Sequence, residues 1–206
     1  MIISALPRNP TPDGTLLMLP DTDSPAPLQA ALSSFVLDFV ARQKFSGTHL
    51  KYFTAYQLPV PNPSSFKENP GWDRGIDIDA WISVRVLELV YVDYRMFGYA
   101  AQYRDAGLPF RWSETRRELI RAELDAAFFH IYGLERVDVE YVMESFPIIK
   151  RKQVAANGEY KTERLILEAY DAMANAIETG VPYKTPLCPP PGEGARHPAR
   201  VFSPKN

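Results

Sequence analysis

The sequence predicts a mainly α protein of the α+β kind, with a C-terminal helical bundle and a small, incomplete β portion near the N-terminus. Apolar residues recur at helical spacing through most of the chain between residues 24 and 180. Extended runs are short and lie at the start, at residues 1–6 and 15–19. The 19 prolines cluster before residue 30, at 59–63 and after 180, where they disfavour helix and mark boundaries.

Capping and breaking residues delimit five predicted helices. Short polar side chains before a helix accept a hydrogen bond from its first free amides. Glycine after a helix adopts the left-handed conformation that ends it. The predicted helices are 25–44 after Ser24, 80–104 after Asp79, 114–132 between Ser113 and Gly133, 136–145 before Pro147, and 160–179 before Gly180.

These boundaries divide the chain into four segments. Residues 1–63 hold the short strands and one helix, 64–79 form a linker, 80–180 form the helical domain and 181–206 form a proline-rich tail. We expect the tail to be an extended or disordered strap. Within the first segment, the aromatic-rich stretch 50–58 is compatible with a strand or with an irregular buried segment.

Composition narrows the class of protein. The net charge of −2 argues against a wholly basic nucleic-acid binder, so the distribution of charge matters more than its sum. One cysteine, Cys188, allows neither a disulfide framework nor a cysteine-based zinc site. The N-terminus lacks the pattern of a signal peptide, and no apolar run approaches the roughly 20 residues of a membrane span. We expect a cytoplasmic protein with no membrane association.

Motifs that carry enzyme chemistry are absent from the sequence. It contains no P-loop, no Gly-x-Ser-x-Gly, and no Asp- or Asn-Pro-Pro-aromatic tetrapeptide of amino-directed DNA methyltransferases. None of the three histidines has a second histidine at the spacing of a metal site. We interpret His130, late in a predicted helix, as a structural histidine. We therefore expect no catalytic residue, no metal and no cofactor in this chain.

A nuclease interpretation remains a minor alternative. Glu159 and Lys161 form the Glu-x-Lys half of a metal-dependent nuclease site, with Asp138 or Glu140 upstream. Such sites place the acids and the lysine on paired strands. Here all of these residues lie in or beside predicted helices, which argues against convergence on a metal ion.

Two basic segments are candidates for phosphate contact. The stretch 150–164 has five basic and two acidic residues and is predicted as a connection between two helices. Cations beside a helix N-terminus attract phosphate together with the free amides. The alternative is a solvated loop or a contact with another protein segment. The candidate DNA-binding residues are Arg42, Lys44, Thr48, His49, Lys51, Lys150, Arg151, Lys152, Lys161 and Arg164.

Several longer motifs resemble one family. The stretches SGTHLKYF (46–53), QLPVP (57–61), ELDAAFFHIYGL (123–134), FPIIKRK (146–152), GEYKT (158–162) and LILEAYDAM (165–173) resemble the C-terminal specificity region of large restriction–modification methyltransferases of the TaqI-like, adenine-specific group. The resemblance spans roughly residues 24–191, and its long motifs are specific.

The resemblance implies a DNA-recognition portion without its own activity, in which residues 1–63 are part of a target-recognition domain. In that family, a separate N-terminal domain binds S-adenosylmethionine and methylates adenine, and nothing in this chain resembles it. The implied partners are double-stranded DNA and a methyltransferase catalytic domain or subunit, and the chain is a fragment, a truncated gene or a free subunit. The alternative is a protein-interaction module that docks on a methyltransferase or helicase subunit.

Overall fold

Helices make up 58% of the chain in a computed structural model, which confirms the mainly α class. The structure describes residues 3–7, 10, 17–22, 24–44 and 50–198. Within them, two short 3-10 helices, Pro63–Lys67 and Tyr94–Met96, accompany the α-helices. The α-helices are α1 (Ala26–Ser33), α2 (Phe35–Lys44), α3 (Tyr52–Ala55), α4 (Ile78–Val90), α5 (Phe97–Gln102), α6 (Glu114–Ile131), α7 (Arg136–Glu144), α8 (Pro147–Asn157) and α9 (Lys161–Thr179).

The expected β portion is not seen in the described residues. Residues 3–6 and 17–19, which fall in the two predicted strands, have no strand conformation, and stretch 50–58 contains the short helix α3. In the described ranges, β pairing is limited to one antiparallel bridge between Phe110 and Arg196. A strand needs a partner to satisfy its amides and carbonyls, and the described chain offers none.

The first predicted helix is two helices, because the chain bends at Ser34. The Ser34 hydroxyl donates to the carbonyl of Ala31 at 2.8 Å, and the amide of Phe35 donates to Asp125 Oδ1 at 2.8 Å. The prediction of Ser24 as the cap is wrong. Its hydroxyl donates to Asp79 Oδ1 at 2.5 Å, which leaves α1 without a side-chain cap.

The second predicted helix is shorter than expected and starts earlier. Asp77, not Asp79, caps α4 by accepting from the amide of Ala80 at 2.7 Å. Asp79 is instead buried and forms an ion pair with Lys67 at 2.7 Å. Helix α4 ends at Val90, and α5 covers part of the remaining predicted range.

Helix α6 lies at the centre of the fold. Its residues 122–129 are all buried, and it packs against α9, α4 and α2. Phe66 and Trp72, from the predicted linker 64–79, belong to the same core. The segment therefore packs with the helical bundle rather than apart from it.

A buried ion pair ties α4 to α6. Arg85 Nε lies 2.9 Å from Glu123 Oε2, and the two side chains are only 5% and 1% exposed. Tyr183 donates its hydroxyl to the other carboxylate oxygen at 2.8 Å. Burial lowers the pKa of Arg85 and raises that of Tyr183. A buried charge of this kind is tolerated because every charged group has a partner.

Residues 181–198 form an irregular strap that is anchored on α4 and α6. Leu187 is buried, and the amide of Gly192 donates to Glu88 at 2.8 Å. Arg116 binds the same carboxylate and donates to the carbonyls of Pro189 and Pro190. These contacts make the described part of the proline-rich tail an ordered part of the fold.

Candidate nucleic-acid interface

The basic stretch 150–164 is mostly helical, so its prediction as a connection is wrong. Pro147 is the first residue of α8. Gly158 ends the helix: its φ is 77°, and its amide donates a hydrogen bond to the carbonyl of Val154 at 2.9 Å. Proline suits the first helical position because its φ is already fixed and an amide is not needed there. Only residues 158–160 separate α8 from α9.

Three of the five cations in this stretch are held by acidic residues. The pairs are Lys150 with Glu144, Lys161 with Glu118 at 2.7 Å, and Arg164 with Glu159 at 3.0 Å and with Glu168 at 2.8 Å. Hydrogen bonds to Glu144 and to Glu159 raise the pKa of Lys150 and of Arg164 respectively. Each of these cations would have to share or leave its partner to bind a phosphate.

Arg151 and Lys152 differ from the other three cations. Both are exposed, and neither has an acidic partner in the part of the chain that the structure describes. They lie on α8, which buries none of its residues and carries no aspartate or glutamate. Helix α8 therefore carries two neighbouring exposed cations and no acidic residue of its own.

One amide at the N-terminus of α9 is not free, contrary to our expectation. The amide of Thr162 donates to Gln153 Oε1 at 2.9 Å, and Gln153 Nε2 donates to the Thr162 hydroxyl at 2.7 Å. This reciprocal pair caps α9 and fixes α8 beside it. A phosphate would have to displace Gln153 to reach that amide.

The second basic segment meets α8 through Arg42. Its guanidinium pairs with Asp38 at 3.1 Å and lies 4.8 Å from the ring centroid of Phe146, the residue before α8. Lys44, the last residue of α2, and Lys51, before α3, are exposed. Thr48 and His49 lie outside the described residues. The structure thus brings one residue of this segment to the start of α8.

A shallow groove lies beside the stretch 158–164. It has a volume of about 350 Å³ and is lined by four acidic and two basic side chains, together with Tyr160 and Leu167. Both arginines of this lining are paired, Arg136 with Asp171 at 3.0 Å and Arg164 as described above. The acidic excess makes the groove a poor site for phosphate.

The residues of the nuclease interpretation have separate partners. Glu159 pairs with Arg164, and Lys161 pairs with Glu118. In the described ranges, no group of three or more histidine, cysteine, aspartate or glutamate side chains is placed to hold a metal ion.

His130 has the structural environment expected of it. Its ring stacks on Tyr170 at a centroid distance of 4.1 Å, and Nε2 lies 3.1 Å from the Tyr170 carbonyl. Burial lowers the pKa of His130. The side chain therefore joins α6 to α9.

Sequence reasoning missed the other exposed residues of α8: Pro147, Ile148, Val154, Ala155, Ala156 and Asn157. The signal was available, since proline at the start and glycine at the end bracket an 11-residue helix. Comparison with known proteins adds no further residue, because no family model, curated protein or solved structure matches the chain. Among the described helices, none has both the length and the apolar character needed to cross a membrane.

Proposed function

We propose that this chain is the non-catalytic DNA-binding portion of a restriction–modification adenine methyltransferase system. One observation carries the proposal: α8 lies on the surface of the bundle without a fully buried residue and presents Arg151 and Lys152, which have no acidic partner in the described part of the chain. The motifs FPIIKRK and GEYKT, which are part of the family resemblance, include the first six residues of this helix and the turn after it.

Electrostatics gives α8 a preference for a polyanion despite the net charge of −2. The helix has three cations and no acid, and Arg42 lies near its first turn; Lys150 and Arg42 are paired with Glu144 and Asp38, so within the described part of the chain Arg151 and Lys152 supply the unpaired charge. Each phosphate that a cation neutralises releases condensed counterions, which favours binding at low salt. Contacts of this kind hold DNA in register without reading its sequence.

Methyl transfer belongs, in this proposal, to a catalytic domain or subunit that binds S-adenosylmethionine and acts in the cytoplasm. The chain described here needs no cofactor and holds the duplex for that partner. Its role is to add affinity for the DNA site on which the partner acts.

The test is duplex binding as a function of salt concentration, measured by fluorescence anisotropy on the full chain. The variant Arg151→Ala/Lys152→Ala should bind all duplex sequences more weakly and lower the slope of log affinity against log salt by about 2. The matched control is Arg74→Ala/Lys184→Ala, which removes the same charge from two exposed residues near the other end of α9, about 28 Å away.

The control should retain the affinity of the unmodified chain. Equal weakening in both double variants would mean that only the total charge matters. If the unmodified chain shows no binding to duplex DNA at low salt, the DNA-binding proposal is wrong. Magnesium-dependent cleavage that is lost in Glu159→Ala would instead support the nuclease alternative.

A second candidate function, docking on a methyltransferase or helicase subunit, is favoured by an exposed apolar surface. Helix α3 exposes Tyr52 and Phe53, Tyr56 follows at 85% exposure, and Leu19 is 91% exposed. The Tyr52 hydroxyl donates to the carbonyl of Leu17 at 3.4 Å, which places residues 17–19 beside α3. Contiguous exposed apolar patches often mark protein contacts.

Docking would be tested by capture of a purified methyltransferase or helicase subunit on the immobilised chain. The variant Phe53→Ser/Tyr56→Ser should lose the captured subunit and keep DNA affinity. Capture that is unchanged in this variant would contradict the docking role of α3.

A further inference from the structure

The orientation of α8 on the bundle decides which of its residues can meet a ligand. Ile149, Lys150 and Gln153 are half-buried, and every other residue of the helix is exposed. With 100° between successive residues, the outward face is centred on Ile148, Arg151 and Ala155, with Lys152 and Val154 at its edges. Ile149 packs against the core and Gln153 is bonded to Thr162, so this face is held outward.

The size and composition of this face match the major groove of duplex DNA. An 11-residue helix is about 16 Å long and about 10–12 Å wide, and the major groove is about 12 Å wide. Ala155 places no bulky side chain at the centre of this face, and Ile148 beside it is an exposed large apolar residue. Arginine and lysine can donate to the guanine acceptors, and small apolar side chains can contact the thymine methyl group.

Charge favours DNA over a protein partner for this face. The outward residues include two cations and no acid, and Arg42 lies beside the first turn, where groove-edge phosphates would pass. An acidic protein surface could satisfy the cations, but the apolar residues beside them, Ile148 and Ala155, also suit contact with base edges and thymine methyl groups. A duplex supplies phosphates, base acceptors and methyl groups together.

We infer that α8 lies in the major groove of duplex DNA, with Arg151, Lys152 and Ala155 toward the base edges and Arg42 toward the flanking phosphates. This inference rests on the proposed function and deepens it, since phosphate binding alone does not require entry into the groove. In the groove, Ala155 would contact base edges, whereas phosphate binding alone gives this residue no role.

The test is a neutral increase in side-chain size at Ala155. Ala155→Phe changes no charge and lies on an exposed helix face, so folding should be retained and is checked by circular dichroism and thermal melting. In the groove, the ring would block close approach and lower duplex affinity roughly tenfold or more. Ala172→Phe, on an exposed position of α9, is the matched control and should bind as the unmodified chain does.

Competition with groove ligands gives a second measurement. Methyl green, which occupies the major groove, should displace the chain, whereas the minor-groove ligand netropsin should not. The two proposals separate by their outcomes. Normal binding by Ala155→Phe, with Arg151→Ala/Lys152→Ala still weakened, would overturn groove entry and leave phosphate binding intact. Absence of binding by the unmodified chain would overturn both, and displacement by netropsin alone would overturn groove entry.

Discussion

Replacing Arg85 with methionine would remove one partner of the buried ion pair that joins α4 to α6. Glu123 is only 1% exposed, and its remaining partner would be the Tyr183 hydroxyl at 2.8 Å. An uncompensated buried charge costs about 3–5 kcal/mol of unfolding free energy. For a chain of this size, each kcal/mol lowers the melting temperature by roughly 2–4 °C, so we expect a decrease of roughly 6–20 °C.

The assay is urea unfolding followed by circular dichroism on four proteins: the unmodified chain, Arg85→Met, Glu123→Leu and the double variant. Both single variants should lose stability. The double variant should be more stable than Arg85→Met, because no charge is left without a partner. If Arg85→Met stays within about 1 kcal/mol of the unmodified chain, or if the double variant loses the sum of both single effects, the reasoning about buried charge is refuted.

Three further predictions concern the remaining buried or capped groups. Burial raises the pKa of Asp125 to about 7, above its unfolded value near 3.9, so unfolding free energy should fall from about pH 4 to pH 7 by up to roughly 4 kcal/mol. Asp125→Asn should remove this slope in urea titrations at several pH values, and an unchanged slope would contradict the assignment. Gly192→Ala should cost about 1–3 kcal/mol in the same assay, because φ is 86° and the added carbon would meet Val84; a neutral result would contradict the close approach. Gln153→Ala should cost about 1 kcal/mol of unfolding free energy by uncapping α9, whereas an effect near zero would mean that water replaces the cap.

The sequence-based prediction succeeded where the residues at the two ends of a helix, or next to them, signal where it begins and ends. The predicted helix 136–145 matches α7, and 160–179 matches α9 to within one residue. Gly180 has a φ of 72°, and its amide donates a hydrogen bond to the carbonyl of Ala176 at 2.9 Å. Such signals act over a few residues, so they can be found without knowledge of the fold.

The sequence-based prediction failed where a residue is compatible with two local structural roles. Pro147 predicts the end of the helix before it, although proline is equally suited to the first position of the next helix, which is where the structure places it. Asp77 and Asp79 can both cap α4, and only the position of Lys67 and Ser24 shows why Asp79 is used elsewhere. Tertiary contacts decide between two caps of similar intrinsic strength.

By itself, the sequence determined the helical class, the ends of α6, α7 and α9 to within one residue and the location of the basic residues, because periodicity, proline and glycine act locally. Only the tertiary structure decided which cations are free for a ligand. Lys161 is held by Glu118, 43 residues away, whereas Arg151 and Lys152 lie on a helix face that no described acid reaches. Ion pairing depends on distances between elements far apart in the chain, and charge order along the sequence does not contain those distances.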